Sequence, residues 1–119
     1  TPPLIQALLA ESAPKILAAL LDNPRLREAD LLQTLRRPDV SPSLIAAVTA
    51  SPRWAAKYYV RLELVLQPRT PLPIAMLQLS SLVKRDLVRV KEARGLRPLI
   101  QAAAERLLTA GESPEDSGT

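Results

Sequence analysis

The chain has 119 residues, a net charge of +4 and an apolar fraction of 47%, which is enough for one hydrophobic core. It has no Phe and only three other aromatic residues, a composition that suits closely packed helices better than a β-sandwich. It contains neither Cys nor His, which excludes disulfides, thiol chemistry, nucleophile–histidine pairs and metal sites built on these ligands.

Eight segments show the apolar spacing of helices, with proline or a capping residue near their boundaries. In chain order the predicted helices are 3–10, 14–22, 28–36, 42–50, 53–66, 71–82, 84–92 and 97–109. Ser41 before Pro42 and Thr70 before Pro71 each place an N-cap hydroxyl before a proline in the first helical turn. Segment 53–66 is apolar on most sides, so we expect it at the centre of the domain.

The prolines fall at intervals that indicate a repeat. Pro24, Pro38 and Pro52 are 14 residues apart. Shifting the chain by 28 residues pairs identical residues at turn and packing positions: Pro14 with Pro42, Ala18 with Ala46, Ala19 with Ala47, Pro24 with Pro52, and Arg25 with Arg53. We interpret this pattern as a degenerate two-helix repeat of 28 residues, whose period slips between Ser80 and Arg94.

Short helix pairs joined by Pro-Arg turns resemble the HEAT-like and leucine-rich-variant helical repeats of bacteria. The stretch Val60–Ala75 is similar to a segment of uncharacterised bacterial proteins of this kind, and the resemblance extends over residues 10–108. It implies an all-α fold of about seven or eight helices, stacked as short antiparallel pairs into an α-solenoid. Such arrays mostly serve as binding scaffolds, and some bind nucleic acid.

The two ends of the chain differ from its body. Residues 111–119 hold three acids and no base, which predicts a flexible acidic tail or linker after a single domain over residues 1–110. Without this tail, 16 basic and 9 acidic residues leave a charge of +7. Because the chain begins with Thr1 rather than Met, we expect it to be part of a larger bacterial protein. No membrane span or signal peptide is visible, and we expect a cytoplasmic location.

No constellation of residues predicts catalysis. The three glycines stand far apart, so no glycine-rich phosphate loop is possible. Glu28 and Asp30 are two residues apart and do not face each other on a helix, which favours a role at the helix N-terminus. We therefore expect no enzyme activity, no catalytic residue, no cofactor, no metal and no small-molecule substrate.

The candidate partner-binding residues are all basic. They comprise Arg25, Arg53 and Arg69 of the Pro-Arg turns, together with Lys57, Arg61, Lys84, Arg85 and Arg89. One interpretation is a charged face that engages phosphates or carboxylates. The other is that each turn arginine caps a preceding helix or pairs with an acid of the neighbouring turn, and that the remaining charges are simply solvated.

These patterns favour a noncatalytic protein–protein interaction module. A nucleic-acid-binding module that uses the Arg-rich face is the alternative, supported by the charge of the body. Trp54 and Tyr58 lie one turn apart, and we interpret them as core residues rather than as stacking partners for bases.

Overall fold

The computed structural model describes residues 8–9 and 13–112, and these residues confirm an all-helical protein without a strand. The helices are α1 (Pro14–Leu21), α2 (Glu28–Leu35), α3 (Pro42–Ala50), α4 (Pro52–Ala55), α5 (Tyr58–Leu66), α6 (Leu72–Leu79), α7 (Lys84–Glu92) and α8 (Pro98–Glu112). Among these helices, none combines the length and the apolarity needed to cross a membrane. The predicted helix 3–10 lies outside the described residues except for Leu8 and Leu9, which are helical.

The N-cap prediction is confirmed at Ser41 and wrong at Thr70. Ser41 Oγ accepts a hydrogen bond from the Leu44 N–H at 3.0 Å at the start of α3. At α6 the N-cap is Pro71, and Thr70 Oγ1 is buried without a hydrogen-bond partner among the described residues. A cap at Thr70 would need a first-turn N–H three residues later, but that position is Pro73, which has none.

The predicted helix over 53–66 is divided in two. The one-turn helix α4 is separated from α5 at Lys57, whose backbone is extended with ψ of 130°. The 28-residue offset explains the break, because α4 stands where the turn around Arg25 stands one unit earlier. The apolar spacing had suggested one continuous helix, whereas the repeat marks the boundary.

Two clusters of buried side chains form the core, and α5 contributes to both. Val60 and Leu64 belong to the first cluster, which otherwise draws on the chain from Leu9 to Trp54. Leu62 and Val65 belong to the second, which extends to Ala104. α5 therefore lies at the centre of the molecule, as its composition indicated.

The helices pack across the predicted units as well as within them. α1 packs against α3, α2 against α5, α5 against α7, and α6 against α8. Neighbours along the chain also meet, with α7 and α8 packing together most extensively. The molecule measures 50 × 28 × 22 Å along its principal axes.

Side chains from later segments satisfy the carbonyl groups that earlier helices leave free at their C-termini. The Trp54 indole Nε1 donates to the Leu21 carbonyl at the end of α1, at 2.7 Å. Gln67 Nε2 donates to the Leu35 carbonyl at the end of α2, at 2.6 Å. Gln101 Nε2 does the same at the end of α7, where its nearest acceptor is 2.6 Å away. Each such bond ties one unit to another.

Candidate partner-binding site

The Pro-Arg turns share a local backbone device. Asn23 Oδ1 accepts a hydrogen bond from the Arg25 N–H at 2.9 Å, and Gln67 Oε1 accepts one from the Arg69 N–H at 3.1 Å. In both turns the residue before the proline holds the arginine backbone. The sequence repeat therefore reflects a repeated turn geometry, independent of where each arginine side chain lies.

The Arg53 side chain follows the capping interpretation. Its guanidinium donates to the carbonyls of Leu21, Asn23 and Leu26, at 3.2, 3.0 and 3.4 Å. It also lies 4.4 Å from the centroid of the Trp54 ring. Arg53 thus joins its own unit to the end of α1 and to the following turn.

The other turn arginines do not form one row with Arg53. Arg25 and Arg69 are both exposed. The Arg37 guanidinium hydrogen-bonds Asp39 and holds the pKa of that carboxyl below its usual 3.8, and the charge of Arg69 adds to this lowering. Arg97, which sequence reasoning overlooked, donates to the Thr70 carbonyl and so makes a contact of the same kind as Arg53.

A second centre is built on Tyr58 and Asp86. The Tyr58 hydroxyl donates to Asp86 Oδ2 at 2.5 Å and accepts from the Val83 N–H at 3.1 Å. Asp86 is only 1% exposed, so its carboxylate depends on these partners for solvation. The bond joins the N-terminal ends of α5 and α7.

Three arginines surround this centre, and we call Arg61, Arg85 and Arg89 the basic cluster. Arg89 donates to Asp86 Oδ1 at 3.3 Å, and Arg85 Nε lies 3.9 Å from the same oxygen. The Arg61 guanidinium lies 5.9 Å from the centroid of the Tyr58 ring. The structure therefore brings together three of the predicted partner-binding residues.

Two further predicted residues adjoin the basic cluster in the chain. Lys57 precedes Tyr58, and its Nζ lies 5.7 Å from the Trp54 ring centroid. Lys84 precedes Arg85 and is exposed in the first turn of α7. The side chains of Arg85 and Arg89 are 77% and 57% exposed.

The electrostatics of the centre keep Asp86 charged and Tyr58 neutral. The hydrogen bond from Tyr58, followed by that from Arg89, lowers the pKa of the Asp86 carboxyl below 3.8 despite its burial. Burial, followed by the hydrogen bond to Asp86, raises the pKa of the Tyr58 hydroxyl above 10.0. At neutral pH three guanidinium groups and one carboxylate leave a net charge of +2 (3 − 1).

Sequence reasoning missed Asp86, although a signal was present. Tyr58 and Asp86 are separated by 28 residues, the length of the repeat. The same offset relates Lys57 to Arg85 and Arg61 to Arg89. Extending the 28-residue alignment beyond residue 64 would have paired these basic residues.

Two shallow grooves lie between helices on other parts of the surface. One, of about 540 Å³ between α1 and α3, is lined mainly by alanine and serine side chains. The other, of about 410 Å³ between α6 and α8, includes Met76 and Leu107. α6 carries no charged residue, and its Leu77 is 70% exposed. Apolar exposure of this kind is typical of surfaces that contact other proteins.

No protein-family model matches the chain, and no significant match was found among curated proteins or solved structures. In the part of the chain that the structure describes, no three acidic side chains come together as a metal site would require. The function is therefore argued from the geometry of the basic cluster.

Proposed function

We propose that this chain is a noncatalytic helical-repeat module that binds a protein partner, and that it is a cytoplasmic part of a larger bacterial protein. The basic cluster is the observation that carries the proposal. It holds more positive charge than Asp86 neutralises, and the surplus lies on exposed side chains. The partner surface is accordingly acidic, because complementary charge steers and orients association.

We also propose that the helices form a HEAT-like α-solenoid. The packing of α1 on α3, α2 on α5 and α6 on α8 supports this, because in a solenoid each unit contacts its neighbours in the stack. The capping bonds from Trp54 and Gln67 support it further, since each reaches the end of a helix about one repeat earlier. A crystal structure of the chain would test the architecture, and a bundle around a single central axis would contradict it.

Charge reversal of the basic cluster tests the binding proposal. In a triple variant, Arg61→Glu, Arg85→Glu and Arg89→Glu, we expect the partner captured from a bacterial lysate by the parent chain to be lost. A photo-crosslinking residue at Val88, which is 39% exposed between Arg85 and Arg89, would identify the partner that contacts this surface. The crosslink should fall on an acidic segment of that partner.

The matched control reverses three exposed arginines of the turns, Arg25, Arg69 and Arg94. Both triple variants change the net charge by the same amount, so a general charge effect would weaken binding equally. Circular dichroism and thermal unfolding confirm that each variant is folded. Retention of the partner by the cluster variant, or equal loss in both variants, would show that the basic cluster is not the binding surface.

Nucleic acid is the second candidate partner, favoured by the same exposed guanidinium groups and by the +7 charge of residues 1–110 (16 − 9). One feature speaks against it. Tyr59 is the aromatic residue of α5 that is 54% exposed, but it lies about 200° around the helix from Arg61 and offers no stacking platform beside the cluster. A salt titration with random duplex and single strands tests this candidate, and the absence of salt-dependent binding at low ionic strength would eliminate it.

A further inference from the structure

We propose that the basic cluster binds a phosphate monoester carried by the partner, so that a phosphorylated side chain is the group it recognises. This inference rests on the proposed function, because it names the chemistry of the partner at the same site. It is argued from the charge and the hydrogen-bonding capacity of the cluster.

The charge of the cluster matches that of a phosphate monoester. Arg61, Arg85 and Arg89 surround the single carboxylate of Asp86, and the net charge of this group is +2 (3 − 1). A phosphate monoester carries a charge of about −1.5 to −2 at pH 7. A carboxylate or a phosphodiester carries only one negative charge, so either would leave half of the surplus unneutralised.

The donors also exceed the acceptors within the cluster. A guanidinium has five N–H donors in a planar fork that suits phosphate oxygens. Arg89 makes its hydrogen bond to Asp86 through one of its terminal nitrogens, and its side chain remains 57% exposed. Arg61 Nε finds no hydrogen-bond partner among the described residues. A phosphate with three terminal oxygens is an acceptor able to engage several of these donors at once.

Asp86 has a positioning role in this arrangement. Its buried carboxylate contacts Arg85 and Arg89 through the same oxygen, Oδ1, while Tyr58 occupies Oδ2. The two guanidinium groups are thereby held near each other although both are exposed. Fixing them in advance reduces the conformational entropy that is lost when they bind a ligand.

Four short blocked peptides test the proposal directly. They contain phosphoserine, glutamate, serine or a methyl phosphodiester of serine at one position in an otherwise identical glycine-rich sequence. Binding is followed by NMR shifts of the arginine Nε–H signals at constant ionic strength. We expect phosphoserine to bind at least about tenfold more tightly than glutamate or the diester, with the largest shifts in the cluster. Equal affinity for phosphoserine and glutamate, or no saturable shift, would overturn the proposal.

The pH dependence provides a second readout. Tyr58 stays neutral and Asp86 stays charged between pH 5 and 7, because their pKa values lie on either side of this range. The chain also has no histidine. The phosphate itself, with a second pKa of about 6, is then the group that titrates. We expect the phosphoserine peptide to bind more tightly at pH 7 than at pH 5 and the glutamate peptide to change little; a flat phosphoserine profile would contradict the proposed charge match.

Two double variants separate this inference from the proposed function. Arg85→Gln with Arg89→Gln should abolish the phosphoserine preference, whereas Arg25→Gln with Arg94→Gln should retain it. Treating the captured partner with a phosphatase then distinguishes the two levels. If the untreated partner needs the cluster but dephosphorylation leaves binding unchanged, the phosphate inference fails and the proposed function stands. If the partner binds without the cluster, the proposed function fails as well.

Discussion

Trp54 and Tyr58 lie one turn apart in the sequence, and each carries a guanidinium beside its ring. Arg53 lies 4.4 Å from the Trp54 ring and Arg61 lies 5.9 Å from the Tyr58 ring. The Trp54 centre is buried and bonds to backbone carbonyls of α1 and the turn after it. The Tyr58 centre is half-buried and bonds to the carboxylate of Asp86.

The difference lies in what satisfies the positive charge. Arg53 donates to three backbone carbonyls, which are neutral acceptors belonging to the fold itself. At the Tyr58 centre one carboxylate is shared by Arg85 and Arg89, which extend into solvent. The same pairing of aromatic and basic residues therefore serves to join repeats in one place and leaves unneutralised charge for a partner in the other.

The largest expected effect is on stability at the Trp54 centre. Trp54→Ala should lower the free energy of unfolding by about 3–5 kcal/mol, because it leaves a cavity in the first core cluster and an unpaired Leu21 carbonyl. Urea unfolding followed by circular dichroism measures this loss. Trp54→Phe retains most of the packing and removes the indole donor, so it should cost clearly less; equal losses would mean that the hydrogen bond rather than packing dominates.

A smaller loss is expected at the Tyr58 centre. Tyr58→Phe should lower the free energy of unfolding by about 1–3 kcal/mol, since it removes one partner of the buried Asp86 carboxylate and the acceptor of the Val83 N–H. Tyr59→Phe removes the same hydroxyl from an exposed ring and provides the control. Equal stability of the Tyr58 and Tyr59 variants would show that the Tyr58–Asp86 bond contributes nothing.

The next prediction concerns pH at the same centre. The pKa of Asp86 is lowered in the folded chain, so its contribution to stability is present above the unfolded value of about 3.8 and is lost as pH falls through the folded value. Asp86→Asn should therefore be less stable than the parent chain at pH 5–7, and the two should converge below pH 3.8. Thermal unfolding across this range checks it. A difference that does not depend on pH would indicate that charge at Asp86 is unimportant.

The smallest effects compare one arginine from each centre. Arg53→Ala should cost about 1–2 kcal/mol of unfolding free energy, because it removes hydrogen bonds that join two units. Arg89→Ala should cost less than about 1 kcal/mol, because its side chain is 57% exposed and its ion pair is largely screened by solvent. Chemical unfolding of both variants tests the distinction, and the reverse order would contradict it.

Sequence reasoning located most helices but not all of their boundaries. The predicted segments 28–36, 42–50 and 84–92 agree with α2, α3 and α7 to within one residue. It failed at 53–66, because periodicity alone does not register a single extended residue such as Lys57. It also failed at Thr70, where Pro73 removes the N–H that the cap requires.

The candidate site was predictable only in part. Arg61, Arg85 and Arg89 were selected by their charge, and the structure places them around one centre. Arg53 was selected on the same grounds, yet its guanidinium binds backbone carbonyls. Composition records that a side chain is charged, but the acceptors available to it depend on which helix end packs beside it.

The sequence by itself determined the helical class, the positions of the turns and the residue types that are absent, because these follow from local backbone preferences and from composition. Only the tertiary structure decided which charges are consumed. Packing of α5 against α7 buries Asp86 beside Tyr58 and gathers three arginines around it, while Trp54 and Arg53 reach the end of α1. These contacts join residues 28 to 33 positions apart, a range over which local preferences carry no information about distance.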